Sequence, residues 1–239
     1  MKAAVQRALA WTGPVMLLLW VGAFVFLAQY IPPPDPQDSV SEVLARFGDH
    51  TDLTRLGLVI TMYASALLVP FAAVISAQMK RIEGAGPLAT TQIVSAGLLS
   101  LEFIVPIMVW LAALYRFDAD SARIIQTLND MGWLMFVAVI SSVIVQIACF
   151  GIAILIDERE RPIFPRWSGY FMLWVCLLLS PTSLCVFFKD GPFAWNGLFA
   201  FWIPLTTYGV WMLTTFWLLR RAIDHEVQEA SATPQPTPS

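Results

Sequence analysis

Residues 91–115 read TQIVSAGLLSLEFIVPIMVWLAALY, and this stretch decides the fold. A helix that crosses ~30 Å of hydrocarbon needs about 20 mostly apolar residues, and this segment supplies them with a single charge, Glu102, near its middle. Five further stretches have the same character: 9–31, 56–79, 132–156, 168–188 and 195–219. The expectation is an all-α polytopic membrane protein with six transmembrane helices in residues 1–222. A cytoplasmic tail over 223–239, ending SATPQPTPS, is too polar and proline-rich to fold alone. Lys2 and Arg7 ahead of the first stretch resemble the start of a signal peptide, but the apolar run exceeds the usual 7–15 residues, so it reads as a retained helix.

Composition agrees. The 239-residue chain is 58% hydrophobic and 13% charged, with a mean hydropathy of +0.69, against about 25% charged residues in soluble domains. A net charge of −3 with no basic run gives no footing for nucleic acid. Cys149, Cys176 and Cys185 lie inside apolar stretches with no CxxC pair, and read as small buried hydrophobes.

Six spans put both termini on one side, together with Lys2, Arg7, Lys80, Arg81, Arg159, Arg161, Arg166, Arg220 and Arg221. The opposite side carries only Arg46, Arg55, Arg116, Arg123 and Lys189, so the positive-inside rule places both termini on the cytoplasmic side of the cell membrane. Residues 32–55 on the outer side hold five acids against two arginines. There Pro32-Pro33-Pro34-Asp35-Pro36 forms a stiff stem, and residues 39–47 form a short amphipathic rim helix with Val40, Val43, Leu44 and Phe47 on one face. Residues 119–128 are expected to form a similar rim helix. Gly48-Asp49-His50-Thr51-Asp52 reads as a solvated acidic loop rather than a metal site. Trp167 and Trp195 stand at span ends, where headgroups favour amphipathic rings, while Trp20, Trp110, Trp174, Trp202 and Trp211 are expected to pack inside. Ala66, Ala73, Ala77 and Gly97 offer close helix approach.

Pro14, Pro70, Pro106, Pro181 and Pro204 fall in every span except the fourth, and each is expected to kink its helix and free a carbonyl. In hydrocarbon that carbonyl must find a donor, for which Ser65, Ser180, Thr182, Thr206 and Thr207 are candidates.

Glu102 lies about 15 Å from either interface, where a charge is opposed by at least ~2.5–3.5 kcal/mol. No Lys, Arg or His stands in any span to pair with it, so it is expected as the neutral acid. Ser95 shares its helix face, and Ser142 and Gln146 in the fourth span lie at comparable depth, so an interhelical bond between Glu102 and Gln146 is expected. These four form the candidate proton or ligand site, in which Glu102 serves as helix glue, as a protonatable group, or as a contact for a partner subunit.

Absences narrow the chemistry. Without an intramembrane lysine there is no retinal Schiff base, and His50 and His225 both lie outside the spans, which removes haem and di-iron ligation. No HExxH, GxSxG, P-loop or GxGxxG motif occurs, and no cofactor or metal is expected.

The arginine-rich inner loop, the FPRWSGY entry to the fifth helix (164–170) and FFKDGPFAWNG between the last two helices (187–197) resemble a group of uncharacterised bacterial six-helix integral membrane proteins. That resemblance implies an architecture and no activity. The function expected is a non-catalytic accessory subunit or small carrier that accommodates an apolar ligand or a partner helix, in contact with membrane lipid and with a membrane-protein partner or a second copy. The alternatives are a proton-coupled transporter using Glu102, and a membrane enzyme with Glu102 as general acid on a hydrophobic substrate.

Overall fold

The computed structural model describes residues 2–48, 50–115, 117 and 121–232, and among them no strand occurs. Six helical segments are long and apolar enough to cross a membrane: Ala3–Leu27, Thr51–Met79, Gly86–Tyr115, Ala122–Leu155, Arg166–Phe187 and Gly191–Ser231. The chain is therefore all-α and, by length and composition, a multi-pass membrane protein. Several spans are built from more than one helix. The first joins α1 (Ala3–Ala10), α2 (Thr12–Val21) and a π-helical turn (Gly22–Leu27). After the amphipathic α3 (Val40–Gly48), the second joins α4 (Thr51–Ser65) and α5 (Leu68–Met79). The third is the unbroken α6 (Gly86–Tyr115), and the fourth joins α7 (Ala122–Ala138) and α8 (Ser141–Leu155). The fifth is α9 (Arg166–Leu179) continued by a 3-10 turn (Ser180–Phe187). The last runs through a π-helical turn (Leu198–Trp202) into α10 (Ile203–Ala232).

Three boundaries differ from the sequence expectation. The fourth span starts at Ala122, so the segment expected as a separate rim helix belongs to it, apart from Ala119 and Asp120, which lie outside the described residues. The reason is a buried face that runs on unbroken: Ile125, Asn129, Trp133 and Val137 recur at four-residue spacing. At the other end α10 takes in the first part of the expected tail; residues 233–239 lie outside the described residues. That extension is held by polar contacts described below. Third, the fifth helix ends early and gives way to the 3-10 turn that begins one residue before Pro181.

On the outer side α3 forms as its pattern requires. Ser39 and Glu42 make a capping box: the Ser39 backbone N–H donates to Glu42 Oε2 at 2.7 Å, and the Glu42 N–H donates back to Ser39 Oγ at 3.4 Å. Those Ser39 bonds hold the Glu42 carboxyl below its ordinary range. Val43 and Phe47 are buried against the bundle. The proline stem is tied down from the far end of the sequence, where the buried Trp195 indole N–H donates to the Pro34 carbonyl at 2.9 Å. Trp195 is thus a structural tie and not a headgroup-facing ring.

The core at this end is aromatic. Trp20, Phe24, Tyr30, Trp110, Trp133 and Phe136 interlock, with ring centroids 5.0 Å apart for Trp110–Trp133 and 4.7 Å for Tyr30–Trp110. Gly132 admits the Trp110 indole so closely that a Cβ there would lie 2.3 Å from its Nε1. Trp211 is buried as expected, but Trp174 and Trp202 are 61% and 39% exposed. In α9 the buried face is Ser168, Met172, Val175 and Leu179, which turns Trp174 toward lipid. Nothing approaches Gly97; backbones come close instead at Gly57 of α4, against Ala23 and Ala28 at the end of the first span, and between Gly151 of α8 and Gly169 of α9.

The opposite end is a polar clasp. Gln6 and Gln78, both buried, meet Glu226: Gln6 Nε2 and Gln78 Nε2 donate to Glu226 Oε2 at 2.9 and 2.8 Å, and Gln78 Nε2 also reaches Gln6 Oε1 at 2.6 Å. Arg81 donates to Gln78 Oε1 at 2.6 Å and pairs with Glu229 at 2.7 Å; Arg7 pairs with Asp224 at 2.7 Å. These bonds draw α10 past the apolar stretch and bring α1 and the second half of α10 together at one end of the bundle. Just after α8, Asp157 is buried under its own loop and accepts a two-pronged pair from Arg159 (Nε 2.8 Å, Nη2 2.7 Å) and the Ile163 N–H at 3.0 Å. Burial raises the Asp157 pKa, but these donors outweigh it and leave the carboxyl below its ordinary range.

Because the folded-state pKa is depressed, the stabilisation is present above the unfolded value of about 3.9 and is lost as pH falls through the folded one. At pH 7 Asp157→Asn is expected to lower stability by about 1–3 kcal/mol. The gap between wild type and variant should hold from pH 5 to 8 and close below about pH 4, read by thermal unfolding in detergent. Gly132→Ala should displace Trp110 and shift the intrinsic tryptophan fluorescence.

Candidate functional site

The fourth span is the one without a proline, yet it is interrupted at mid-length. Val139 is extended (φ −84°, ψ 101°) and Ile140 follows at φ −132°, ψ 0°. A break in hydrocarbon leaves the last carbonyls of α7 and the first N–H groups of α8 without helical partners. Neighbouring spans supply them. Ser183 Oγ donates to the Ala138 carbonyl at 2.6 Å. At the start of α8, Ser142 Oγ donates to Glu102 Oε2 at 2.5 Å, and the carboxyl lies close to the Ser142 backbone N–H. Glu102 therefore stands where a capping acid stands in soluble proteins, but reaches across from another helix; the positive end of the α8 dipole favours an acid there.

The second span shows the same solution. Between α4 and α5 the Ser65 carbonyl loses its helical partner and accepts from Ser100 Oγ of α6 at 3.0 Å. Ser65 Oγ in turn donates to the Thr61 carbonyl at 2.8 Å and accepts from the Trp20 indole N–H at 3.0 Å. Ser100 and Ser183 are thus the donors that matter, and neither was among the residues expected from sequence. Ser180 and Thr206 instead bond the carbonyls four residues back in their own helices, at 2.7 and 2.8 Å. Pro14, Pro70, Pro181 and Pro204 each sit within the first three residues of a helical segment, where the missing N–H is not needed, and only Pro106 lies inside a continuous helix.

Two hollows flank the Val139–Ile140 break. A groove of about 510 Å³ lies between α6 and the fourth span, lined by Ser95, Glu102, Ser141 and Ser142 among apolar residues, several of them exposed on the lipid-facing side. Glu102 is half-buried within it. Gln146 is not part of it: fully buried, with neither side-chain polar atom hydrogen-bonded, it makes no bond to Glu102. The expected Glu102–Gln146 pair is replaced by Glu102–Ser142, because the break presents the α8 first turn, not its second, to α6. On the inner side of the break is a cavity of about 130 Å³ lined by five of the six spans. Its walls include Trp20, Phe103, Phe136 and Phe201, and the only hydroxyls among them are Thr182 and Tyr208. Val139 lines both hollows.

On the outer rim, Asp52 pairs with Arg55 at 3.0 Å, while His50 faces a hollow beside Arg46 and Tyr30; Asp49 lies outside the described residues. Among the described residues no group of three metal-capable side chains comes together. The three cysteines are free, and the thiols of Cys149 and Cys185 are buried.

Glu102→Leu is expected to lower stability by about 0.5–2 kcal/mol by stripping the α8 first turn of its partner, while Glu102→Gln, which keeps an acceptor, loses less. Ser183→Ala should lose a similar amount through the Ala138 carbonyl. Denaturation in detergent, with a Glu102/Ser142 double-mutant cycle, measures both.

No family model, no curated protein and no solved structure matches this chain.

Proposed function

We propose that this is a non-catalytic protein of the cytoplasmic membrane, with both termini on the cytoplasmic side, that holds a small apolar ligand in its central cavity and acts as a carrier or accessory subunit. The observation that carries this reading is the makeup of the cavity wall: aromatic and aliphatic on all sides, with two hydroxyls and no charge. A hydrophilic solute entering it would leave most of its polar groups unpaired, at a penalty of roughly 2–7 kcal/mol each. The greater number of basic residues on the terminal side supports the orientation. In this reading Glu102 acts as a cross-span cap for α8.

A second reading, proton-coupled transport through Glu102, draws on one observation: the carboxyl opens onto a groove that meets the cavity at Val139. Proton flux in proteoliposomes that survives Glu102→Gln removes it.

Gently extracted protein examined by native mass spectrometry should carry a bound lipophile of low mass. Ala200→Leu, which fills the cavity from a buried position on its wall, should release that mass while the protein remains folded. A mass that persists in the variant places the ligand elsewhere and defeats the cavity reading.

A further inference from the structure

We infer that the central cavity receives the ring-sized head of a lipophile bearing a hydrogen-bond-accepting oxygen, seated against the hydroxyls of Tyr208 and Thr182. The inference rests on the cavity reading above and names the chemical class of its occupant.

Size comes first. An apolar cavity of about 150 Å³ takes up one benzene. At about 130 Å³ this one has room for a single six-membered ring. Its walls bring Trp20, Phe103, Phe136 and Phe201 to the same space, with Trp20 and Phe136 stacked at 5.4 Å and Trp20 and Phe103 at 5.7 Å. Aromatic faces and edges at these spacings suit a flat unsaturated ring better than a flexible chain.

The hydroxyls give the polarity. Tyr208 Oη and Thr182 Oγ1 are buried and hydrogen-bonded to nothing in the protein, and Thr182 as a whole is 6% exposed. A hydroxyl rotates to donate wherever an acceptor is offered. In water an orphaned hydroxyl is solvated; in hydrocarbon it stays unsatisfied unless the occupant brings an acceptor. Both residues line one cavity, in different spans, so a small shift of either side chain would bring its hydroxyl to a single carbonyl, ester or ether oxygen on the ring. Thr206, in the same helix as Tyr208, bonds the Trp202 carbonyl instead, at 2.8 Å.

The route is lateral. Val21 and Val139 line the cavity and are 42% and 43% exposed on the surface that faces lipid. Val139 lies on the break, outside the regular helical ladder, so the wall is weakest there. A ligand tail would leave along it into the bilayer.

The test uses the full chain in lipid nanodiscs with two isosteric probes at equal mole fraction in the bilayer: acetophenone and α-methylstyrene, in which a methylene replaces the carbonyl oxygen. Binding is read from the thermal shift and from tryptophan fluorescence. Acetophenone is expected to bind about two- to tenfold more tightly. Tyr208→Phe should narrow that ratio and Tyr208→Phe with Thr182→Val should bring it to one, with α-methylstyrene affinity unchanged and no loss of thermal stability. Ala200→Leu should abolish both. Equal affinities in the wild type, still lost in Ala200→Leu, overturn the acceptor-bearing head and leave an apolar cavity. Failure of both probes to bind overturns both readings. A fall in melting temperature in Tyr208→Phe without probe discrimination assigns the hydroxyls to an internal water and overturns the inference.

Discussion

Backbone amides have no water to turn to inside a bilayer, and that constraint governs this molecule. A straight helix meets it internally, but the second and fourth spans are interrupted and must meet it from outside. Two side chains on other spans supply carbonyl partners, Ser100 for Ser65 and Ser183 for Ala138, and Glu102 accepts from the Ser142 hydroxyl at the first turn of α8. Each is a local polar bond with a global consequence, because it fixes the depth at which two spans meet. The intramembrane acid belongs to the same set of cross-span contacts, through its bond to Ser142.

Interruption also makes room. Where α7 stops and α8 begins, the helix surface steps aside, and hollows form on both faces of the step. The inner one is apolar, the outer one more open and bearing the carboxyl. Aromatic packing limits how far the inner cavity collapses: Trp20, Phe103 and Phe136 support one another across three spans and leave a ring-sized space between them. Large flat side chains in helices of irregular pitch pack with gaps that aliphatic chains would fill.

The two ends of the bundle are held by different means. At the terminal end, glutamines, arginines and glutamates from α1, α5 and α10 bond in a compact cluster, with Gln6 and Gln78 shut away from solvent. At the other end the closure is apolar, with α3 laid over the bundle by Val43 and Phe47 and the proline stem pinned by Trp195. Directional bonds fix the mutual register of the first, second and sixth spans. Nondirectional burial closes the rim and leaves the middle, with its break and cavity, as the irregular part.

Much was legible in the chain itself. Six apolar stretches, the amphipathic 39–47 segment, and the shared helix face of Ser95 and Glu102 follow from spacing, because helical periodicity is a local property. The prolines marked four places where helical segments begin. What spacing could not give is the break at Val139–Ile140, which no proline announces, and with it the choice of Ser142 over Gln146 as the partner of Glu102. Nor could it give Ser100 and Ser183 as the donors, or the meeting of Thr182 and Tyr208 on one cavity. Those are contacts between residues tens of positions apart, decided by how the spans are rotated and how deep each one sits. Hydropathy sets which segments enter the lipid, since transfer from water depends on the segment alone; which polar atoms then meet depends on packing, since in hydrocarbon each must find its partner on another helix.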